Sequence, residues 1–274
     1  MSGYAQVPMQ FVGPIKLSGT TIEGDYEVPL ATYETPLFPS VNRGARVSMN
    51  CDKGIQCTVV DDRMTRSVLF EAPDAAAALQ ALNQIKAGFS ALAEVVEGTS
   101  RFAKLIAIHS QIAGNLLFIR FEFTTGDASG HNMCTQAAEA LMNHILDYHP
   151  DLKYGSISGN YCSDKKATAV NGILGRGKYV VAELLIPEKL CNRYLKTTPA
   201  KIVELNIRKN LIGTMLAGGS RSANAHFANM LLSFYLATGQ DAANIVEGSQ
   251  GLTMAEERDG NLYFAVTLPN LIVG

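Results

Sequence analysis

A chain of 274 residues and 29.5 kDa, 47% of it hydrophobic, is long enough to bury more than one core. Its formal charge of −2 gives no general attraction to nucleic acid or to an anionic membrane, so an anionic ligand has to be met by local basic groups. Five cysteines (Cys51, Cys57, Cys134, Cys162 and Cys191) form no CxxC pair and no zinc-site spacing, which fits free thiols in a reducing cytosol and no bound metal. No apolar run approaches the ~20 residues that span a bilayer, and no charged start leads into an apolar signal core, so the reading is a soluble cytoplasmic protein.

In chain order, the first candidate is Glu34 in "VPLATYETPLFPSVNRGAR". Apolar, proline-rich neighbours would raise a carboxyl pKa and suit proton donation, although an ordinary strand-end glutamate looks the same. "SVLFEA" (67–72) reads as a strand, and Pro73 and Asp74 open a helix whose stripe runs Leu82, Ile85, Phe89, Leu92 and Val96 before Gly98 ends it. "RFAKLIAIHSQI" and "LLFIRFEF" flank Ala113, Gly114 and Asn115 as a hairpin, the second strand setting Ile119, Phe121 and Phe123 on one face and Arg120 and Glu122 on the other. "NMCTQAAEALMNHILDYHP" aligns Ala138, Leu141, Ile145 and Tyr148 on a helical face and stops at Pro150, after which "YGSISG" supplies a last strand. This β-α-β-β-α-β order predicts an α+β chain: a ferredoxin-like small domain over about 67–158, inserted into a discontinuous larger domain (1–66 and 159–274) with a central helix.

Within that frame, "GTSRFAKL" places Ser100, Arg101 and Lys104 at a helix-to-strand turn, and "GDASGHNM" places Asp127 and Gly130 just before a helix; Arg and Lys there suit a phosphate. His131 is a candidate because it occupies a glycine-containing loop, whereas His109, His144, His149 and His226 read as packing or surface residues. "SGNYCSDKKATAV" carries Asp164, Lys165 and Lys166 where the chain leaves the insert, a seam of the kind at which ligand clefts form; a solvated charge run is the alternative. Ser222 reads as the N-cap of a core helix through Phe227, Met230, Leu231 and Phe234 that stops at Gly239, and its entry "LAGGSRSANAH" joins glycines to Arg221, as an anion site or simply a cap. Asp241 in "TGQDAAN" is a good N-cap. No G-x-G-x-x-G follows a strand, and neither a Walker A motif nor G-x-S-x-G is present.

Taken in order, "ATYETPLFPSVNRGAR", "DDRMTRSVLF", "TSRFAKL", "IRFEFTTGDASGHNM", "SGNYCSDKKATAVNGILGRGKYVVAE", "NIRKNLIGTMLAGGSRSANAHFANM" and "ATGQDAANIVEGS" resemble the catalytic region of hydroxymethylglutaryl-coenzyme A (HMG-CoA) reductases across nearly the whole chain. The DKK and GQDAA segments are the most specific, and the likeness is to the eukaryotic and archaeal class more than to the other bacterial class. The resemblance implies NADPH-dependent reduction of HMG-CoA to mevalonate and CoA by two hydride transfers, through a hemithioacetal and an aldehyde. It implies that Lys165 stabilises the oxyanion, that Glu34 donates a proton and that Asp241 tunes this pair. Arg66, Ser158, Asp164, Lys166, Lys209 and Asn224 match substrate positions, and Ser100, Arg101 and Asp127, with Gly130 and Asn132 in the same loop, match the cofactor side on the ferredoxin-like domain. Arg101 favours the 2′-phosphate of NADPH over NADH, while Ser129 and His131 stand where the family usually has methionines. A homodimer or larger homo-oligomer is implied, with no nucleic-acid or membrane partner. The sequence stops at "TLPNLIVG", before the family's glycine-rich segment and C-terminal histidine, so the larger domain is expected to be C-terminally incomplete; the competing reading is a non-catalytic CoA-thioester or nucleotide-binding homologue without that acid.

Overall fold

A computed structural model describes residues 3–274. The strands along the chain are β1 (Met9–Gly19), β2 (Glu23–Ala31), β3 (Ile55–Glu71), β4 (Lys104–Ala113), β5 (Leu116–Thr124), β6 (Lys153–Ser156), β7 (Gly177–Ile186), β8 (Leu252–Arg258) and β9 (Asn261–Leu271). The first four helices are α1 (Leu37–Asn50), α2 (Ala75–Ala87), α3 (Phe89–Glu97) and α4 (His131–Tyr148). Contacts divide the chain into a larger unit (up to Asp61, Lys165–Gly172, Lys178–Leu271) and a smaller one (Asp62–Asp164, Ile173–Gly177, Ile272–Gly274).

The larger unit is built on strands ordered β2-β1-β3-β7-β9-β8. β1 and β2 pair antiparallel, β1 runs parallel to the start of β3 through residues 17–19 against 55–57, and β9 is antiparallel to both β7 and β8. Helix α1 starts directly after Pro36, whose fixed φ suits a helix entrance. At its start Phe38 joins Val12 and Leu30 in one apolar cluster, and at its end Val47 and Cys51 join Ile186, Leu190, Cys191 and Leu262 in another. A later helix, Phe227–Thr238, packs on β2 and contributes Phe234 to the first cluster.

The smaller unit has the ferredoxin-like arrangement: strand order β4-β5-β3-β6 with every neighbouring pair antiparallel. Val68 and Phe70 of β3 and Leu117, Ile119, Phe121 and Phe123 of β5 point to one face and are fully buried. Against them pack Leu82 and Ile85 of α2, Leu92 and Val96 of α3, and Ala138, Leu141 and Ile145 of α4. Each valine, leucine, isoleucine or phenylalanine among them contributes about 1.5–3 kcal/mol on leaving water, so this face holds the unit together.

Several expectations change. The first strand is much longer than 67–72 because β3 starts at Ile55, and its residues 64–66 already pair with β5. The helix expected from Asp74 to Gly98 is two helices broken at Gly88; Asp74 caps the first as expected, accepting the Ala77 N–H at 2.8 Å. Tyr148 leaves the α4 stripe and is 72% exposed. Arg120 and Glu122 do lie on the opposite face of β5 but are 0% exposed, because the 159–164 and 173–177 segments close over that face. Ser222 caps no helix: the helix begins after His226, and its fully buried residues are Ser233 and Tyr235, whereas Met230 is exposed and lines an apolar cavity of about 530 Å³ with Phe227, Leu231 and Phe234. Gly239 stops it as expected, at φ 72.

Candidate active site

The boundary between the two units falls inside the DKK loop, between Asp164 and Lys165. On the larger unit, Lys165 has a left-handed backbone (φ 55), and its Nζ lies 2.6 Å from Oδ2 of Asp241. The chain reaches Asp241 because Gly239 ends the Phe227–Thr238 helix and Asp241 opens the short Ala242–Asn244 turn, its Oδ1 accepting the Ala243 N–H at 3.1 Å. The N-cap reading and the functional reading of Asp241 therefore both hold, one on each oxygen. Both side chains remain 40–46% exposed, and an ion pair so open to water contributes only about 0–1 kcal/mol of stability. Its geometry leaves a positive group accessible to a ligand.

Glu34 lies in the turn between β2 and α1, its N–H donating to Thr32 Oγ1 and its carbonyl accepting the Leu37 N–H. The apolar setting expected from sequence is not what the side chain meets: Glu34 is exposed, and its Oε2 accepts from Nδ2 of Asn229 at 2.8 Å. Asn229 is near the start of the Phe227–Thr238 helix and Asp241 is beyond its end, so about 14 Å of helix axis separate them. The structure unites Lys165 with Asp241 and holds Glu34 at the opposite end of that helix. Lys166 and Lys209 are exposed, Lys209 on the π-helical Asn206–Gly213 stretch. Asn224 donates its amide to the carbonyls of Ser249 and Gly251 at 3.2 and 2.9 Å, which fixes the loop before the helix. Arg221, a possible anion ligand by sequence, instead donates to the Gly172 carbonyl at 2.7 Å.

Arg66, Ser158 and Asp164 belong to the smaller unit rather than to the larger domain in which the sequence puts Arg66 and Asp164. Gly159 brings this loop onto the sheet: its N–H donates to the Ser67 carbonyl at 3.0 Å, and a Cβ there would stand 2.9 Å from Ser67 Oγ. Asp164 Oδ1 receives Arg176 Nη2 at 2.8 Å and lies 3.6 Å from His131 Nε2; His131 is the first residue of α4 rather than part of the loop expected from sequence, and it does meet a charged partner. Beneath them Arg120 donates to Glu122 at 3.1 Å and to the carbonyls of Tyr161 and Gly175, while Arg63 and His109 also reach Glu122. Burial, opposed by Glu122, lowers the pKa of Arg120. The Arg66 Nε is buried with no hydrogen-bond partner among the described residues.

On the same unit the two cofactor loops meet, a Cβ on Gly126 being 3.8 Å from the Phe102 ring. Ser100 Oγ accepts the N–H groups of Phe102 and Ala103 at 3.1 and 3.4 Å, and the exposed Arg101 guanidinium sits 4.9 Å from the Phe102 ring centroid. Asp127 and Asn132 are exposed. Gly130 has φ 83, and a Cβ would stand 2.5 Å from Thr125 Cγ2, so only glycine fits. α4 starts there without a side-chain cap, and Gly274 lies against the same entry, where a Cβ on it would stand 2.4 Å from the Ser129 N. These residues fit a phosphate-bearing dinucleotide. Asn229, Arg176 and Glu247, which all contact candidate residues, carry no local sequence signal; their partners are 195, 12 and 82 positions away.

A family model described as hydroxymethylglutaryl-coenzyme A reductase matches residues 1–274. The 3-hydroxy-3-methylglutaryl-coenzyme A reductase of Pyrococcus horikoshii is 45% identical over 276 residues, covering 100% of this chain and 66% of that protein. The corresponding protein of Methanocaldococcus jannaschii is 44% identical, at 100% and 68% coverage, and reductase 1 of Oryza sativa subsp. indica is 44% identical, at 99% and 50%. The chain thus spans about two thirds of the length of its archaeal relatives and half of the rice protein. Among solved structures, the class II 3-hydroxy-3-methylglutaryl-CoA reductase from Streptococcus pneumoniae bound to NADPH in open conformations matches with TM-score 0.71, covering 98% of this chain and 72% of that one; at 18% identity the likeness is one of fold.

Proposed function

The chain belongs to the hydroxymethylglutaryl-coenzyme A reductase family, and from that premise we propose that it reduces HMG-CoA to mevalonate and CoA, with NADPH as the cofactor and NADH as a poorer substitute. The observation that carries this reading is the Lys165 ammonium held 2.6 Å from Asp241 on a side open to ligand. Bound NADPH supplies hydride; two equivalents and two protons convert one thioester to one alcohol and release the CoA thiol. Lys165, aimed at the substrate carbonyl, stabilises the negative charge that grows on its oxygen in each reduction. Asp241 orients the ammonium, and Glu34, oriented by Asn229, is the proton donor. Arg66, Lys166 and Lys209 bind the anionic substrate and its CoA carrier, with Ser158, Asp164 and Asn224 beside them; Lys166, Lys209 and Asn224 belong to the larger unit and Arg66, Ser158 and Asp164 to the smaller. Ser100, Arg101, Asp127, Gly130 and Asn132 hold the cofactor on the smaller unit, Arg101 meeting the 2′-phosphate.

The separation of Glu34 from the Lys165–Asp241 pair along one helix supports a homodimer or larger homo-oligomer in which Glu34 of one copy serves the pair of another. Unpaired thiols support a reducing, cytoplasmic location; no helix among the described residues is long and apolar enough to cross a membrane. The decisive experiment follows nicotinamide oxidation by the purified chain with HMG-CoA and NADPH. Two NADPH consumed per mevalonate, lost in Lys165→Ala and regained on mixing Lys165→Ala with Glu34→Gln chains, is the expected result. HMG-CoA binding without oxidation in the unaltered chain would refute the reductase reading in favour of a binding homologue.

A further inference from the structure

Glu247 lies on the short Ile245–Gly248 helix of the larger unit with no exposed surface, and nothing in the chemistry above uses it. A carboxyl group removed from water is costly unless hydrogen bonds compensate it, and in Glu247 they fall on Oε1, while Oε2 is buried without a hydrogen-bond partner among the described residues. Here Oε1 accepts the backbone N–H of Lys165 at 3.1 Å and Nδ2 of Asn244 at 2.9 Å. Lys165 is left-handed, a conformation that a residue with a long side chain keeps only where its surroundings impose it. Asn244, itself 1% exposed, also donates its backbone N–H to the Asp241 carbonyl at 3.0 Å, so the two acidic residues are tied together within one segment. Lys165 is gripped at both ends: the main chain by Glu247 and the ammonium by Asp241.

We infer that Glu247 is a positioning residue for the reaction, holding the Lys165 backbone in the left-handed turn that directs its ammonium to Asp241. Its effect on turnover rests on the reductase reading; its effect on the Lys165 backbone does not. Three variants separate acceptor, reach and charge. Glu247→Gln keeps an oxygen acceptor without charge, Glu247→Met keeps bulk without an acceptor, and Glu247→Asp keeps charge with a shorter reach. Hydrogen exchange of the Lys165 amide is measured by NMR in the full chain, alongside kcat and KM with HMG-CoA and NADPH. In Glu247→Gln, protection and kcat are expected to stay within about twofold of the unaltered chain. In Glu247→Met and Glu247→Asp, exchange should quicken about tenfold and kcat fall about tenfold with KM for NADPH unchanged, as the loss of one buried hydrogen bond implies. Unchanged protection in both Met and Asp variants overturns the inference, as does a Gln variant that loses as much as Met. If the unaltered chain does not turn over, the reductase reading fails while amide exchange still decides the role of Glu247, with Glu247→Asp sufficient should the Met variant not fold.

Discussion

Replacing Arg120 with methionine tests the buried charge network under the DKK loop. Arg120 is 0% exposed and donates from Nε to Glu122 at 3.1 Å, from Nη1 to the Tyr161 carbonyl at 3.3 Å and from Nη2 to the Gly175 carbonyl. Methionine keeps most of the volume, so cavity formation is small and the cost comes from unsatisfied groups. Breaking a buried ion pair costs about 3–5 kcal/mol, and a stranded buried polar group about 1–3 kcal/mol. The two overlap here because Glu122 keeps Arg63 at 2.5 Å, so the expected loss is about 3–5 kcal/mol rather than their sum. The double variant Arg120→Met/Glu122→Met also removes the stranded carboxylate, and Arg63, 25% exposed, can turn to water; it should lose less than Arg120→Met alone. Urea unfolding followed by far-UV circular dichroism suits a chain with no tryptophan. A single-variant loss below about 1 kcal/mol, or a double variant less stable than the single, would show that this network does not anchor the loop.

Asp241→Asn keeps the cap on Ala243 and removes the charge facing Lys165, so kcat should fall at least tenfold with unfolding stability within about 0.5 kcal/mol, whereas Asp241→Ala should also lose about 1 kcal/mol in thermal melting. Gly130→Ala forces a Cβ at 2.5 Å from Thr125 and a left-handed alanine, so a loss of about 1–3 kcal/mol and weaker NADPH binding, read by nicotinamide fluorescence, are expected. Burial pushes the Cys134 thiol up to about 12, so the unfolded chain loses this proton first. Stability is intact below the ordinary thiol pKa of 9.0 and falls as pH rises toward 12, by on the order of 1 kcal/mol for this group at pH 10. Cys134→Ala should flatten the decline in urea midpoint between pH 8 and about 10 relative to its own neutral value; an unchanged slope would contradict the assignment.

What was legible in the sequence follows the range of the interactions. The α4 stripe and the Gly114 hairpin are encoded within a few residues, so the β-α-β-β-α-β order can be parsed locally. The early part of β3, "IQCTVVDDRMTR", alternates irregular polar and apolar residues, and its pairing is set by β1 and β5, which lie far along the chain in either direction. Alternation in β5 separates Arg120 from Phe121 but cannot say that both faces are dry, because the cover over Arg120 comes from Tyr161 and Gly175. Glu34 looked buried among its sequence neighbours because prolines and leucines flank it, yet the backbone turns it outward toward Asn229.

Candidate residues also show why a structural role does not argue against a chemical one. Asp241 caps a turn with one oxygen and meets Lys165 with the other, so the local motif fixes the carboxylate in the orientation the ammonium requires. Ser100 receives two backbone N–H groups on Oγ and still has a hydroxyl hydrogen to give, while Gly130 answers a steric demand from Thr125 and at the same time leaves the start of α4 uncapped. Asn224 differs in that its amide hydrogens are committed to two carbonyls, leaving only its oxygen for a ligand. The useful distinction is therefore drawn atom by atom. By that measure Ser100 retains a donor and Asn224 an acceptor beyond what the fold uses, while Lys166 and Lys209 present exposed ammonium groups.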